Sequence, residues 1–323
     1  MARQKILIDA FGADFPDQII SGIADVLELD EQVELVVTGN ADYIKKILKK
    51  RVFDRRRLEL VDCKEVVTND DAPVEAILTK KNSSLCVGLK LLRDREDIGC
   101  MISAGNTGAV IAGSVLILGR ELSCDRPTLL TVLPNDKGGF TCLADCGANV
   151  DCKPHNLLKF GEYASDYSKK VLGVKNPKVA LLSVGTEDKK GNALTKEAFK
   201  LLKESSLNFV GNVESGASLS GEVDVVVADG FSGNVLLKSI ESTAKSVSKR
   251  TLALLEKYSQ EEGDTKFVSK AFDEFTELLN LNLYGGAILL GTKKPIVKAH
   301  SYANAQTVIN TVRQAQKICQ SER

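Results

Sequence analysis

The chain has 323 residues, of which 43% are hydrophobic and 27% are charged, as in ordinary soluble globular proteins with a large core. Its 43 basic residues balance its 43 acidic residues, which gives no reason to expect nucleic acid as the main partner. There is no signal-like start and no apolar run of about 18 residues. We therefore expect a cytoplasmic protein without a membrane span.

Strand-like and helix-like segments alternate from the N-terminus, beginning with the strand KILIDA and the amphipathic helix DQIISGIADVLEL. The region PVEAILTKKNSSLCVGLKLLRD reads as one long helix or two short ones, and another helix begins at about residue 106. TLLTVLP and GFTCLADCG, joined by NDKGG, predict an antiparallel hairpin. The other predicted strands are VELVVTG, LELVDC, IGCMISAG, KVALLSVG, LNFVGNVE and VDVVVADG, and ADYIKKILKKR is a further helix.

This alternation predicts an α/β fold in which a mainly parallel sheet is covered by helices on both faces. No linker rich in Pro, Gly or Ser divides the chain, and no internal repeat is present. We expect one compact unit over residues 1–323, with the option of two lobes.

Eight cysteines are scattered along the chain and none forms a C-x-x-C pair, so free buried thiols are expected. Cys142, Cys146, Cys152 and His155 are close enough in sequence to raise the possibility of zinc. Their spacing fits no common zinc module, and we favour no metal there.

Turns rich in Gly, Asn and Asp follow five of the predicted strands. Since ligands bind beyond the carboxyl ends of strands in such sheets, these turns predict a composite site. Each turn alone is weak evidence, because any strand-to-helix turn favours small residues. The five turns are Asp9–Gly12, SAGNTG at 103–108, DCGANVDCKP at 145–154, GTEDKKGN at 185–192 and DGFSGNVLLK at 229–238.

The SAGNTG turn combines backbone N–H groups with the hydroxyls of Ser103 and Thr107 at the start of a helix, which favours anion binding. It matches neither the Walker loop nor GxGxxG. The alternative is a capping turn, in which Asn106 or Thr107 satisfies the first N–H groups of the helix.

The other turns add amides and cations. Lys190 could hold a phosphate, Asn234 could donate its amide to a developing oxyanion, and Lys238 follows one turn later. With two histidines and no GxSxG elbow, the sequence does not favour a Ser-His-Asp hydrolase. This set suits a reaction whose substrate supplies the nucleophile, such as inorganic phosphate attacking an activated acyl group.

The chain resembles the PlsX-type phosphate acyltransferases of bacteria. The matching sequence blocks occur in the same order as in that family and span nearly the whole chain. The resemblance implies a three-layer α/β/α Rossmann-like fold, a homodimer, and no organic cofactor or metal. It implies conversion of acyl-[acyl carrier protein] and inorganic phosphate into acyl phosphate, which a membrane glycerol-3-phosphate acyltransferase then uses for phospholipid synthesis. The matching blocks are SAGNTGAVIAGS, ILGR, DRPTLLTVLP, GANVDCKP, GTEDKKGN, NFVGNVE, DVVVADGFSGNVLLK and YGGAILLG.

For this reaction, we expect phosphate to bind at the Ser103–Thr107 turn and at Lys190. We expect Asn234 to stabilise the oxyanion that forms from the thioester carbonyl. Lys190 or Lys238 would offset charge on the departing thiolate. The predicted catalytic residues are Lys190, Asn234, Lys238 and Asp229. The predicted substrate-binding residues are Asp9, Gly12, Ser103, Gly105, Asn106, Thr107, Gly108, Asn149, Lys153, Gly191, Asn192, Gly233 and His300.

The chain departs from the family pattern in two loops. Ala13 replaces a glycine in the first turn, where a side chain would strain any left-handed backbone. His300 is followed by SYAN rather than by a GSSD-like run, which puts the role of the loop beyond His300 in doubt.

A helical hairpin is expected at about 250–283, for dimer or membrane contact. The predicted helix over 266–279 carries an apolar stripe, and its polar face has more acidic residues than lysines. This charge favours packing of the stripe against protein over binding to anionic lipid. Peripheral membrane contact stays open.

Three other functions compete with this reading. A phosphotransacylase that uses acyl-coenzyme A would share the chemistry, whereas a carrier-protein enzyme needs a basic docking surface. KKILKKR (45–51) with Arg55–Arg57 is the strongest basic cluster, although it also fits a solvated face. An isopropylmalate-type dehydrogenase and a non-catalytic binding protein are the more distant alternatives.

Overall fold

The computed structural model describes residues 5–262, 270 and 285–321, and the strands in this part of the chain form one sheet. The strands are β1 (Lys5–Asp9), β2 (Leu35–Gly39), β3 (Leu58–Asp62), β4 (Ile98–Ser103), β5 (Thr128–Pro134), β6 (Phe140–Ala144), β7 (Val179–Leu182), β8 (Phe209–Val213), β9 (Val225–Val227), β10 (Ala287–Leu290) and β11 (Ile296–Lys298).

The helices alternate with these strands as the sequence predicts, and the region 73–94 contains two short helices. They are α1 (Pro16–Leu29), α2 (Ala41–Leu48), α3 (Pro73–Thr79), α4 (Ser84–Asp94), α5 (Thr107–Gly113), α6 (Pro154–Lys170), α7 (Ala193–Glu204), α8 (Ala217–Ser220), α9 (Gly230–Glu262) and α10 (Ala305–Ser321). A 3₁₀ turn covers Arg55–Arg57, and a π turn, Ser114–Leu118, extends α5.

The strand order is β3-β2-β1-β4-β11-β10-β5-β6-β9-β7-β8. Strands β3, β2, β1, β4 and β11 are mutually parallel, and so are β6, β9, β7 and β8. Between these groups, β10 is antiparallel to β11 and β5, and β5 is antiparallel to β6. The two parallel groups therefore run in opposite directions and meet at the centre of the sheet.

The predicted mainly parallel sheet and the β5–β6 hairpin are confirmed. Two central strands, β10 and β11, are absent from the sequence prediction. These strands, AILL and IVK, are short apolar runs separated by the turn GTKKP. Runs of three and four residues are too short to show the pattern of a strand.

Side chains alternate between the two faces of the sheet, and each face is covered by its own helices. Ile6 and Ile8 belong to the core under α1, α2, α6, α7 and α10. Leu7 and Met101 belong to the core under α3, α4, α5, α8 and α9. Burying a large aliphatic side chain contributes about 1.5–3 kcal/mol, so both layers contribute strongly to stability. The three-layer α/β/α arrangement is confirmed.

Three arginines of the basic cluster at 45–57 form contacts inside the fold. Arg51 contacts Asp25 at 2.5 Å and Glu28 at 2.6 Å. Arg57 donates to carbonyls at the end of α1, and Arg55 donates to carbonyls at the end of α2, where the helix dipole favours cations. The exposed cations of α2 and the turn after it are Lys45, Lys46, Lys49 and Lys50.

The first turn carries no strain from Ala13, because in the described residues only glycines have positive φ. The apolar stripe predicted over 266–279 lies outside the described residues, apart from Lys270. Among the helices that the structure does describe, none combines the length and apolarity needed to cross a bilayer.

The start of α9 packs directly on the loop after β6, and two glycines allow the contact. A Cβ on Gly233 would lie 1.9 Å from the Asp145 carbonyl oxygen, and one on Gly230 would lie 2.5 Å from the Asn149 carbonyl oxygen. The Gly230 N–H donates to that Asn149 oxygen at 2.8 Å. A side chain at either position would push the helix off the loop.

We expect Gly233→Ala to lower the free energy of unfolding by about 1–3 kcal/mol through overpacking, although alanine is the better helix former. Gly216→Ala is the matched control, since nothing lies within 4 Å of its Cβ position and its φ is −61°. Urea unfolding of both variants measures the effect. Equal stability of Gly233→Ala and the wild type would contradict the close contact.

Candidate active site

A cavity of about 330 Å³ lies where the two parallel groups of strands meet. It is bounded by the start of α5, the first turns of α9, the loop after β6 and the ends of β5, β10 and β11. Its lining residues are Thr107, Leu129, Thr131, Cys146, Gly147, Asn234, Leu237, Lys238, Glu241, Gly285, Gly286, Ala287, Lys298, Ala299 and His300.

Beside this cavity, a buried polar row crosses three neighbouring strands. Asp9 pairs in register with Ser103, and Ser103 pairs with Lys298. The Ser103 hydroxyl donates to Asp9 Oδ2 at 2.9 Å and accepts from the Gly105 N–H at 3.2 Å. Burial raises the pKa of Asp9, and the hydrogen bond from Ser103 opposes this. Because the Ser103 hydroxyl is engaged on both sides, it supports the turn rather than pointing to a ligand.

The SAGNTG turn is built by close backbone contact and a capping side chain. A Cβ on Gly12 would lie 2.8 Å from Gly105 Cα. Asn106 Oδ1 accepts from the Ala109 N–H at 3.0 Å, so the capping alternative is confirmed for Asn106. Its amide also donates to carbonyls of the 68–71 loop. Thr107, the first residue of α5, is the member of this turn that lines the cavity.

Gly108 plays a packing role in the same turn. A Cβ on Gly108 would lie 2.7 Å from Pro73 Cγ, at the start of α3. The helix pair α3 and α5 therefore packs closely beside the cavity.

Lys298 brings a buried cation to the cavity. It ends β11, is 9% exposed, and its Nζ donates to the Ala299 carbonyl. Burial lowers the pKa of Lys298 to about 8, while the negative charges of Asp9 and Asp14 act in the opposite direction. At neutral pH the side chain is still mainly cationic. The sequence analysis missed this residue, although it lies two positions before His300.

Glu241 connects two other basic groups of the cavity. Its carboxylate lies 2.7 Å from Lys238 Nζ and 3.7 Å from His300 Nε2. Burial lowers the pKa of His300, and the nearby Glu241 carboxylate opposes that change. Its ring stacks on Tyr302 with centroids 5.1 Å apart. Glu241 was also not predicted from the sequence.

The loop after β6 is held by the buried carboxylate of Asp145. That carboxylate accepts from the backbone N–H groups of Leu129, Gly147, Ala148 and Asn149, at 2.7 to 3.3 Å. The Asn149 side-chain amide donates to Asp145 and to the Pro127 carbonyl, both at 2.8 Å. The Asn149 side chain therefore supports this loop, and its predicted ligand contact stays a prediction.

Asn234 lies on α9 directly over this loop. A Cβ on Gly147, which has φ of +134°, would be 3.5 Å from Asn234 Oδ1. No residue that the structure describes hydrogen-bonds to the Asn234 amide, and the side chain is exposed to the cavity. This leaves its two N–H groups free for a ligand.

Asp229 and Asn192 begin helices elsewhere on the same side of the molecule. Asp229 accepts from the Ser232 N–H at 2.8 Å and hydroxyl at 2.9 Å, and Asn192 accepts from the Thr195 N–H at 2.9 Å. Both line an open depression of about 380 Å³, apart from the main cavity. Gly191 has φ of +110°, which the turn before α7 requires.

Lys190 and Lys153 line neither cavity. The Lys190 side chain is 53% exposed and lies 4.0 Å from Glu187. The Lys153 N–H donates to Asn156 Oδ1 at 2.8 Å at the start of α6. Their ligand roles stay predictions.

None of the cysteines, all of which lie in the described part of the chain, forms a disulfide, and seven of the eight are buried. His155, a member of the possible zinc set, instead contacts Asp125 at 2.9 Å. In residues 5–262 and 285–321, no three His, Cys, Asp or Glu residues converge as metal ligands.

The comparisons with known proteins cover nearly all of the chain. The profile of the family described as "Fatty acid synthesis protein" matches residues 4–323. A phosphate acyltransferase of Clostridioides difficile is 40% identical over 315 residues, covering 97% of this chain and 92% of that protein. One of Lactiplantibacillus plantarum is 40% identical over 328 residues, covering 98% and 92%.

Solved structures share the fold at low sequence identity. A phosphotransacetylase from Streptococcus pyogenes has a TM-score of 0.67 at 17% identity, covering 99% of this chain and 94% of its own. A 4-hydroxythreonine-4-phosphate dehydrogenase from Burkholderia phymatum has a TM-score of 0.53 at 12% identity, covering 98% and 99%. These likenesses establish the architecture alone.

The burial of Lys298 predicts a pH dependence of stability. Between pH 8 and its ordinary pKa of 10.5, the unfolded chain binds a proton that the folded chain does not, so stability rises with pH. Relative to Lys298→Met, the wild type should gain about 3 kcal/mol across this window. Urea unfolding at several pH values measures the difference, with exposed-lysine Lys49→Met as the control. Parallel curves for wild type and Lys298→Met would show that Lys298 is not desolvated.

Proposed function

Because the chain belongs to the fatty acid synthesis protein family of phosphate acyltransferases, we propose that it transfers a long-chain acyl group from acyl-[acyl carrier protein] to inorganic phosphate. The observation that carries this proposal is the cavity, which gathers Lys238, Lys298 and His300 around the free amide of Asn234. Such a site favours an anionic nucleophile and a developing oxyanion.

Phosphate binds between Lys298, Lys238 and Thr107 in this proposal. The two lysines supply positive charge, and Thr107 supplies a hydroxyl and the first N–H groups of α5. The Glu241 carboxylate contacts the half-exposed Lys238 at 2.7 Å and so balances its charge in the unliganded cavity. A bound phosphate dianion competes with Glu241 for the same ammonium group.

The reaction begins when a phosphate oxygen attacks the thioester carbonyl carbon. The new C–O bond forms as the carbonyl π electrons move to oxygen, and Asn234 donates its amide to that oxyanion. Collapse of the tetrahedral intermediate breaks the C–S bond and gives acyl phosphate and the carrier thiolate. The ammonium group of Lys238 offsets the thiolate charge until solvent protonates the sulfur.

The enzyme needs no side-chain nucleophile in this mechanism. Cys146 is the thiol that lines the cavity, but burial raises its pKa well above the ordinary value. Since the thiolate is the nucleophilic form, Cys146 is a poor candidate for an acyl-enzyme. Proximity and electrostatic stabilisation account for the acceleration.

The wider setting of the reaction is also a proposal. We place the enzyme in the cytoplasm as a homodimer, where acyl phosphate passes to a membrane glycerol-3-phosphate acyltransferase. The resemblance in sequence supports this setting. The catalytic roles of Lys190 and Asp229 stay predictions, since Asp229 lines the separate open depression and Lys190 lines neither cavity.

Acyl-phosphate formation from inorganic phosphate tests the function, with palmitoyl-carrier protein and palmitoyl-coenzyme A compared at equal concentration. We expect a strong preference for the carrier protein in kcat/KM. A preference for coenzyme A would make the protein a phosphotransacylase with the same site. A folded protein that is inactive with both donors would contradict the proposal.

Asn234→Ala should lower kcat by about 100- to 1000-fold, because it removes an oxyanion donor, with little change in the KM for phosphate. Ser239→Ala is the control, since Ser239 is exposed on the same helix but does not line the cavity. Steady-state kinetics measure both variants. A normal kcat for Asn234→Ala would rule out its role at the oxyanion.

A further inference from the structure

The face of α9 that lines the cavity continues beyond it as a row of lysines. Asn234, Lys238 and Glu241 line the cavity, and Lys245 and Lys249 follow at spacings of four residues. At about 100° per residue these five positions share one face of the helix. We call Lys245 and Lys249 the basic strip.

The basic strip begins at the mouth of the cavity. Lys245 Nζ lies 5.7 Å from the centre of the Tyr302 ring, and that ring stacks on the cavity residue His300. Both residues of the strip are exposed, and they form no ion pair with any residue of the described chain. The strip therefore presents positive charge that the described residues leave unpaired.

We propose that the basic strip is the docking surface for the acidic carrier protein, an inference that rests on the proposed function. Charge complementarity between a basic surface and an acidic partner steers association and fixes orientation. From Lys238 to Lys249 the helix rises by about 16 Å. A carrier protein presents its thioester at the end of a long flexible arm. Docking at that distance, in line with the cavity, lets the thioester reach Asn234 while the protein body stays outside.

The lysines of α2 and of the turn after it form the alternative basic surface, but their position makes them a poorer docking site for a carrier protein. Lys45, Lys46, Lys49 and Lys50 are exposed, but α2 packs on the opposite face of the sheet from α9. The sheet therefore separates these lysines from α9. These lysines therefore provide a control surface with the same charge.

A protein partner fits the strip better than a lipid surface does. The exposed apolar residues of α9 near it are Val247 and Leu254, which are 45% and 56% exposed. At 100° per residue both lie on the side of the helix opposite Lys238, Lys245 and Lys249. A membrane-bound helix places its apolar face in the lipid with lysines flanking it, whereas this strip is polar along its length.

The test uses two double charge reversals in the full chain, Lys245→Glu/Lys249→Glu and the control Lys45→Glu/Lys49→Glu. The first should raise the KM for palmitoyl-carrier protein about tenfold at low salt, and the second should leave it unchanged. With palmitoyl-pantetheine, which lacks the carrier protein, both variants should match the wild type, which also shows that they are folded. Added salt should raise the wild-type KM for the carrier protein and have less effect on the first variant.

Each other outcome contradicts the proposal in a different way. An unchanged KM in both variants would remove the strip as a docking surface, and a raised KM in the α2 variant alone would move docking to α2. If the Lys245→Glu/Lys249→Glu variant had normal kinetics but no longer sedimented with phosphatidylglycerol vesicles, the strip would be a lipid contact. If the wild type used palmitoyl-pantetheine but not the carrier protein, the proposed function itself would fail, which separates that failure from failure of the strip.

Discussion

The site depends on the contact between the first turn of α9 and the loop after β6. Asp145 holds that loop through its carboxylate, which accepts four backbone N–H groups and the amide of Asn149. Gly233 then lets the helix rest on the Asp145 carbonyl oxygen, where any Cβ would overlap it. This one contact fixes the direction of α9 and so carries Asn234 and Lys238 over the centre of the sheet.

Electrostatic balance explains why the cavity is stable without substrate and still attracts an anion. Lys298 is desolvated by its position at the end of a central strand, and its lowered pKa reflects that cost. Glu241 offsets Lys238, so Lys298 supplies the remaining positive charge of the cavity until phosphate arrives. Phosphate binding is therefore expected to regain part of the desolvation cost of Lys298 and to release Lys238 from Glu241.

The sequence was sufficient for the layers of the fold because apolar strands and amphipathic helices alternate with clear periods. It was insufficient at the centre of the sheet, because β10 and β11 are too short for their alternation to be recognised. That omission hid Lys298, although His300 was predicted from its motif. Asn106 and Asn149 show the opposite limit. Their residue types suit a ligand equally well, and only the hydrogen bonds of the folded chain show that they cap a helix and support a loop.

The central claim is that phosphate attacks the thioester directly, in a cavity that offers stabilisation rather than a nucleophile. Intact-protein mass spectrometry after incubation with palmitoyl-carrier protein, with and without phosphate, tests it most directly. The account predicts no palmitoylated enzyme in either sample and release of the free carrier thiol only when phosphate is present. A stoichiometric palmitoyl adduct without phosphate, lost when phosphate is added and located on Cys146 or another residue of the cavity, would contradict it.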